Sequence, residues 1–532
     1  MRDEGKQSGL AGAFLMTLLM VAGAAAANGD LRLVEAARNR DSQKVRALLA
    51  QHADVNVRAD DGSTALLWAA HWNDLELANL LLRAGADANV ANDFRMTPLT
   101  QACINGSAQF AGVLLKAGAN PNTPVATGET PLMACARTGS VDGVKILLSR
   151  GADVNVKEPA QNQTALMWAA AEHHPDVVST LIEANADLRA HTKKGFTALH
   201  FAAREGDAEV AKRLLDAGVD INIVSQPDGL EGRARGQGTG GGSAGAAAVG
   251  GGGAAAVVQA GGGMSGSASQ SAGATPLMVA TMRSQVPLAL FLLDHGAKPD
   301  AGDSGMTPLH WASTTWESGT ANPIYGLDDP MSGIQDRKAK IQLVKALLAH
   351  GANVNARITK PEPGFAGGFS DTIGATPFLL ASSIADVEMM HVLLDAGADP
   401  KAVTNTNTTA IMAATALNHP VGESPVTEKE SLEAVNLLLS LGLSAGGATT
   451  LNENALFGPA YRGWNTLLEL MIEKGADVNI VSKAGVTPWL AASGYGDRLG
   501  GVLYNKAGAD ILERHGADPK LGKPCQAQTK CR

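Results

Sequence analysis

The 532-residue sequence predicts an all-α repeat, a stack of helix–turn–helix units interrupted by loop insertions. Three observations carry that expectation. Comparing the chain with itself at a shift near 33 residues brings Thr-Pro-Leu or Thr-Ala-Leu repeatedly into register. About twenty residues after most of these comes Leu-Leu, then Gly-Ala-Asp or Gly-Ala-Asn. The composition, 45% apolar, 18% charged and 4% aromatic with 61 Gly, suits tight packing of small residues better than wholesale disorder. The net charge of −9 and a pI near 5.8 lack the footprint of a phosphate-backbone binder, so nucleic acid is not an expected partner. Four cysteines exclude a disulfide-built scaffold.

The first element is a targeting segment. Residues 1–9 are polar, and Arg2 and Lys6 are offset by Asp3 and Glu4. From Leu10 to Ala27 every side chain is apolar or small except Thr17, and Ala24-Ala25-Ala26-Ala27 precedes polar Asn28-Gly29-Asp30. This is the layout of a secretory signal peptide over residues 1–27, with cleavage after Ala26 or Ala27. An uncleaved membrane anchor is the rival, although Gly and Ala make the segment a poor one. Ala/Gly-rich, lysine-poor usage suggests a bacterial source, so the expected location is the periplasm or outside the cell, with no stable membrane insertion after cleavage.

The repeats follow. Thr64, Thr97, Thr130, Thr164, Thr197, Thr275 and Thr307 open full copies, Thr376, Thr409 and Thr487 open variants, and Asn454 fills the remaining slot. Thr suits a helix cap and Pro the first helical position, where no N–H is needed. A short first helix carries Leu-x-x-Ala-Ala, and Gly106, Gly139 or Gly206 breaks it. A second helix with Val and Leu-Leu at helical spacing packs on the first, and Gly85, Gly118 or Gly151 ends it in a left-handed cap. A degenerate opening copy runs from Val34 to Asn56. One unit cannot bury its own apolar face, so stacking is required.

The run from Asp61-Gly62-Ser63-Thr64-Ala65-Leu66-Leu67-Trp68-Ala69-Ala70 to Leu80-Leu81-Leu82-Arg83-Ala84-Gly85-Ala86-Asp87-Ala88-Asn89 resembles the ankyrin repeat family closely. Eleven copies and an N-terminal half-cap are recognisable, from about residue 30 to 519. The resemblance implies an ankyrin solenoid with hairpin-like fingers and a concave binding face. The last copies depart from the pattern, because Pro459 falls inside a first helix and the stretch from Gly494 to Asn505 lengthens another.

Spacing defines the remaining organisation. N-terminal repeats occupy residues 28–224, a Gly/Ala-rich insertion 225–273, C-terminal repeats 274–519, and a polar tail 520–532. The first insertion is too poor in side chains to offset its ordering and is expected to be a flexible tether in place of a finger. Others lie near 315–337, with Trp316 and Tyr325, near 358–373, with Phe365 and Phe369, and near 418–430. Their aromatics either anchor a partner or pin the loops to the solenoid.

Catalytic motifs are not supported. The matches at Gly236-Gln237-Gly238-Thr239-Gly240-Gly241 and Gly241-Gly242-Ser243-Ala244-Gly245 lack the flanking strand and helix that dinucleotide binding or a nucleophile elbow needs. His200 and His310, fourth in Thr-x-Leu-His, are structural in the family. His173-His174 reads as a surface pair, without the spaced partners of a metal site. Cys103 and Cys135 sit near the Ala-Ala positions of neighbouring first helices; at an 8–10 Å helix separation they are expected to be buried free thiols. Cys525 and Cys531 are the disulfide candidate. Trp68, Trp168, Phe201 and Trp311 form an aromatic ladder that either packs between repeats or lines a groove lip. Asn105-Gly106-Ser107, Asn162-Gln163-Thr164 and Asn407-Thr408-Thr409 match the glycosylation triplet by coincidence of repeat structure.

The expected function is a non-catalytic protein–protein interaction scaffold outside the cytoplasm, monomeric, without cofactor or metal, for a protein partner. In the resembled family, partners touch the finger tips and the two residues after Ala-Ala. By register these are His71 and Trp72, Ile104 and Asn105, Arg137 and Thr138, Ala171 and Glu172, and Arg204 and Glu205. Two rivals remain: an exported effector that binds another organism's proteins, and an enzyme assembled from the insertions around Asp328, Asp329 or Asp371, which lack a base or nucleophile beside them.

Overall fold

Most repeats start on a threonine that closes the first turn of a helix. Thr64 is extended, and its Oγ1 accepts the amide of Leu67 at 3.2 Å, so the helix Ala65–His71 begins with one otherwise orphaned N–H satisfied. Thr97, Thr130, Thr275, Thr376 and Thr487 do the same, each with Pro at the first helical position. In the computed structural model, which describes residues 30–226, 273–314, 336–360, 372–417, 426–494 and 504–522, this produces 24 helices and no strand among the described residues. Among the described residues the fold is all-helical, a succession of stacked helix pairs.

Where the following turn is described, a left-handed residue follows the first helix. Gly106, Gly139 and Gly206 hold it at φ 67°, 73° and 78°, and Asn73, His173, Ser284 and Ala385 hold it without glycine's freedom. The second helix, such as Leu75–Arg83 capped by Asp74, buries Leu77, Ala78 and Leu81 against the first. It ends at Gly85 (φ 92°), where an added Cβ would meet nothing within 4 Å, so backbone conformation and not space selects glycine there.

Contacts divide the structure into two units: residues up to 192 together with 212–217, and residues 193–211 with 218 onward. In the first, the helices Arg32–Arg38, Ala65–His71, Pro98–Ile104, Pro131–Arg137 and Ala165–Ala171 stack side by side. In the second, Ala198–Glu205, Pro276–Met282, Pro308–Ala312, Pro377–Ser383 and Ala410–Ala414 stack likewise. Small residues make the approach possible, with Ala69, Ala70, Ala102, Ala169, Ala202 and Ala280 fully buried.

Asparagines join successive repeats on the loop side. Asn56, Asn89 and Asn122 donate to the carbonyls of Gly85, Gly118 and Gly151 at 3.2, 3.0 and 2.8 Å. Their Oδ1 atoms accept the amides of Asp87, Asn120 and Asp153 at 2.8, 2.7 and 2.8 Å. The fingers are turns tied by few backbone bonds, such as Asp93 N–H to Asp61 O at 3.0 Å, which is too sparse a ladder to make strands.

Two sequence expectations need correction. Cys103 and Cys135 are not free thiols; they form a disulfide, with Cα atoms 4.5 Å apart and both residues fully buried. The 8–10 Å separation of packed helices runs between axes. Subtracting a Cα radius of about 2.3 Å from each helix leaves about 3.4–5.4 Å between facing Cα atoms, which reaches into disulfide range. His174 is not a surface residue either: it is half-buried at the N-terminal boundary of the helix Pro175–Glu183, without a side-chain capping bond, and its Nε2 lies 2.9 Å from the Arg137 carbonyl.

Asn454 and Pro459 are accommodated locally. Asn454 Oδ1 accepts the Leu456 amide at 3.1 Å, and the helix starts late, at Phe457–Arg462. Pro459 therefore falls in the first turn, where its missing N–H has no intrahelical partner to lose. The ends flanking the Gly/Ala insertion bond to each other, Ser225 N–H to Ala274 O and Gly273 N–H to Ser225 O, both at 2.9 Å. The insertion proper, the targeting segment, the aromatics and acids singled out in the other insertions, and Cys525 and Cys531 lie outside the described residues.

Candidate protein-binding surface

The ten residues placed by register after Ala-Ala sit at the C-terminal ends of first helices, where the last carbonyls need partners. Eight belong to the first unit. Arg204 and Glu205 belong to the second.

In the first unit, several of these side chains reach back to the preceding repeat. Trp72 Nε1 donates to the Arg38 carbonyl at 3.1 Å. Asn105 Nδ2 donates to the carbonyls of Ala70, at 2.8 Å, and His71, at 3.2 Å. Thr138 Oγ1 donates to the Cys103 carbonyl at 3.0 Å. The same position thus ties helix end to helix end, and Asn105 and Thr138 have a structural role wherever else they contribute. The amide of Asn105 is engaged with backbone rather than displayed as an unused triplet asparagine.

Trp72 and His71 remain presented. Trp72 is 39% exposed and stacks on Trp68, with ring centroids 6.3 Å apart and planes at 27°. His71 stands edge-on to both rings, at 5.4 and 4.6 Å. Arg137 lies over Trp168 of the next repeat at 5.8 Å and pairs with Glu129 at 3.2 Å. Ile104, Ala171 and Glu172 are half-buried beside these groups. In the second unit Arg204 pairs with Glu205 and covers Phe201 at 4.8 Å, and its carbonyl accepts Gln285 Nε2 at 3.2 Å.

The aromatic ladder is divided by burial. Trp311 and Phe201 are buried between repeats, whereas Trp68 and Trp168 are half-exposed under arginines. Sequence reasoning missed Arg38 and Arg40. The signal was present: Arg38 follows Ala36-Ala37 in the same register as His71, but the half-cap lacks the Thr-Pro-Leu opening that aligned the other copies. Phe94 was also missed; it is 68% exposed at a finger tip.

His200 and His310 act as structural links. In each, Nδ1 accepts the amide of the capping threonine, at 3.2 and 3.1 Å, and Nε2 faces a carbonyl of the next finger, Ala274 at 3.1 Å or Ala356 at 2.9 Å. Burial pushes both imidazoles down to about 4, which keeps them neutral. Among the described residues no group of His, Cys, Asp and Glu is arranged to hold a metal, and no helix is long and apolar enough to cross a membrane.

Comparison with known proteins agrees with this architecture. A family model described as ankyrin repeats in three copies matches residues 12–92, 33–125, 70–158 and 155–225, and one described as ankyrin repeat matches 272–304 and 304–358. A solved structure, the human ASB11 ankyrin repeat domain, is 29% identical over 36% of this chain and 86% of that one, with a TM-score of 0.33. Ankyrin repeats are in general protein–protein interaction modules. With its helix pairs, threonine caps and family matches over more than half its length, this chain belongs to the ankyrin repeat family.

Proposed function

We propose that this chain is a non-catalytic scaffold that binds a protein partner through the first-helix ends and finger tips, outside the cytoplasm. The observation that carries the reading is the cluster in the first unit where Trp72 and His71 stand open on Trp68; Phe94 is exposed separately, at a finger tip. Rigid aromatics next to arginines are the composition of interface anchors, and they sit here on a stack of helices that cannot readily deform. The Cys103–Cys135 disulfide supports an oxidising compartment, as does the signal-like segment of residues 1–27.

The test is a pull-down from an envelope extract with the purified chain, beside a variant carrying His71→Ala, Trp72→Ala, Arg137→Ala and Arg204→Ala. One protein enriched by the parent and lost with the variant is the expected result. Equal enrichment by both proteins would overturn the assignment of these residues.

A further inference from the structure

Two arginines in the first unit stand on tryptophan rings with no carboxylate to meet them. The Arg38 guanidinium carbon lies 5.2 Å from the Trp68 centroid, and that of Arg40 lies 5.8 Å from the Trp72 centroid. Both arginines are exposed, and among the described residues neither makes an ion pair. Arg83, Arg95, Arg150 and Arg189 of the same unit also make no ion pair among the described residues, so what distinguishes Arg38 and Arg40 is the tryptophan ring beneath each. Asp41, the acid next to Arg40, uses its carboxylate to cap the amide of Lys44, and Glu35, one turn before Arg38, makes no ion pair with it among the described residues.

The two cations form one patch. Trp68 and Trp72 stack on each other, and His71 contacts both rings. Trp72 is also fixed through its Nε1 to the Arg38 carbonyl. Stacking holds a guanidinium in place at little further entropic cost and leaves its in-plane N–H donors for a planar acceptor. A carboxylate matches that fork in a bidentate pair. The patch is cationic on a chain whose net charge is −9, so it stands out against its own background.

We infer that Arg38 and Arg40, supported by Trp68 and Trp72, form a docking site for an acidic, extended segment of a protein partner. This rests on the scaffold reading above and adds the partner's chemistry. Carboxylates of the segment pair with the two guanidinium groups, and apolar side chains between them lie on the exposed face of Trp72. A nucleic acid is the other polyanion that arginine and tryptophan could receive, but the charge of the whole chain repels a phosphate backbone.

The experiment titrates the full chain with a labelled peptide of alternating Glu and Leu and with its Gln–Leu counterpart, read by anisotropy and by tryptophan fluorescence. The Glu peptide is expected to bind at least about tenfold tighter than the Gln peptide and to weaken as salt is raised. Arg38→Gln with Arg40→Gln is expected to cost about tenfold or more, and Arg38→Lys with Arg40→Lys to recover part of the loss, because charge returns without the planar fork. Unchanged circular dichroism of both variants separates lost binding from lost fold. Equal affinity for the two peptides, affinity of the Gln variant within about twofold of the parent, or displacement of the peptide by lower concentrations of a short single-stranded DNA would each overturn the site. If the Gln variant still captures the envelope partner that the His71, Trp72, Arg137 and Arg204 variant loses, this inference fails while the scaffold reading stands. If both variants capture it, both fail.

Discussion

Cys103 and Cys135 are joined across two neighbouring first helices whose Cα atoms lie 4.5 Å apart. The bond closes a 32-residue span, one residue short of the repeat from Thr97 to Thr130, and both residues are fully buried among alanines. It therefore staples two successive units at the place where they already pack most closely.

Removing this staple should weaken the first unit. Chain-entropy reasoning for a loop of this size predicts a loss of about 3–4 kcal/mol, seen as a lower denaturant midpoint for Cys103→Ala with Cys135→Ala. Native protein should show no reaction of these two residues with a thiol reagent and a linked peptide pair in non-reducing digests. Free thiols at both positions after unfolding without reductant would refute the bond.

Acid should weaken the second unit through His200 and His310. Burial pushes both down to about 4 in the folded protein, against an ordinary value of 6.5. Between those values the unfolded chain binds protons that the folded chain does not, so stability is fully present above about pH 6.5 and falls as the pH drops toward 4. The expected loss by pH 5 is about 2 kcal/mol for each histidine. Urea midpoints at pH 7 and pH 5 measure it, and His200→Gln should reduce the slope; an unaltered slope would show that His200 titrates normally.

Ala385→Gly should stabilise the protein. Ala385 holds φ 52° at the turn where Gly106, Gly139 and Gly206 serve in other repeats, and a Cβ in that conformation costs about 1 kcal/mol. Thermal unfolding should move upward for this variant; a downward shift would mean that the methyl packing of Ala385 outweighs the backbone cost.

What the sequence revealed was local. Threonine caps, the glycine at each second-helix end and the histidine links depend on residues a few positions apart, and Thr64, Gly85 and His200 stand where the pattern placed them. What it concealed depended on the neighbouring repeat. Register located Asn105 and Thr138 on the candidate surface, but it could not show that the carbonyls of Ala70 and Cys103 would take their side chains. The disulfide was hidden because axis separation was used for a distance between facing Cα atoms. Arg38 was hidden because its copy lacks the opening motif.

The asparagine links show how the chain tolerates its own irregular lengths. Asn56 finds the Gly85 carbonyl 29 residues ahead, Asn479 finds that of Gly516 37 ahead, and Asn355 finds that of Gly397 42 ahead. Asn222 receives the Lys298 amide across 76 residues. An asparagine at this position bonds the next repeat's loop through Nδ2 or Oδ1 whatever the intervening length, so a repeat is measured by its return to this asparagine and not by its residue count. Segments can be added or withdrawn between the two ends of that bond as cargo, while the link between neighbouring repeats still closes.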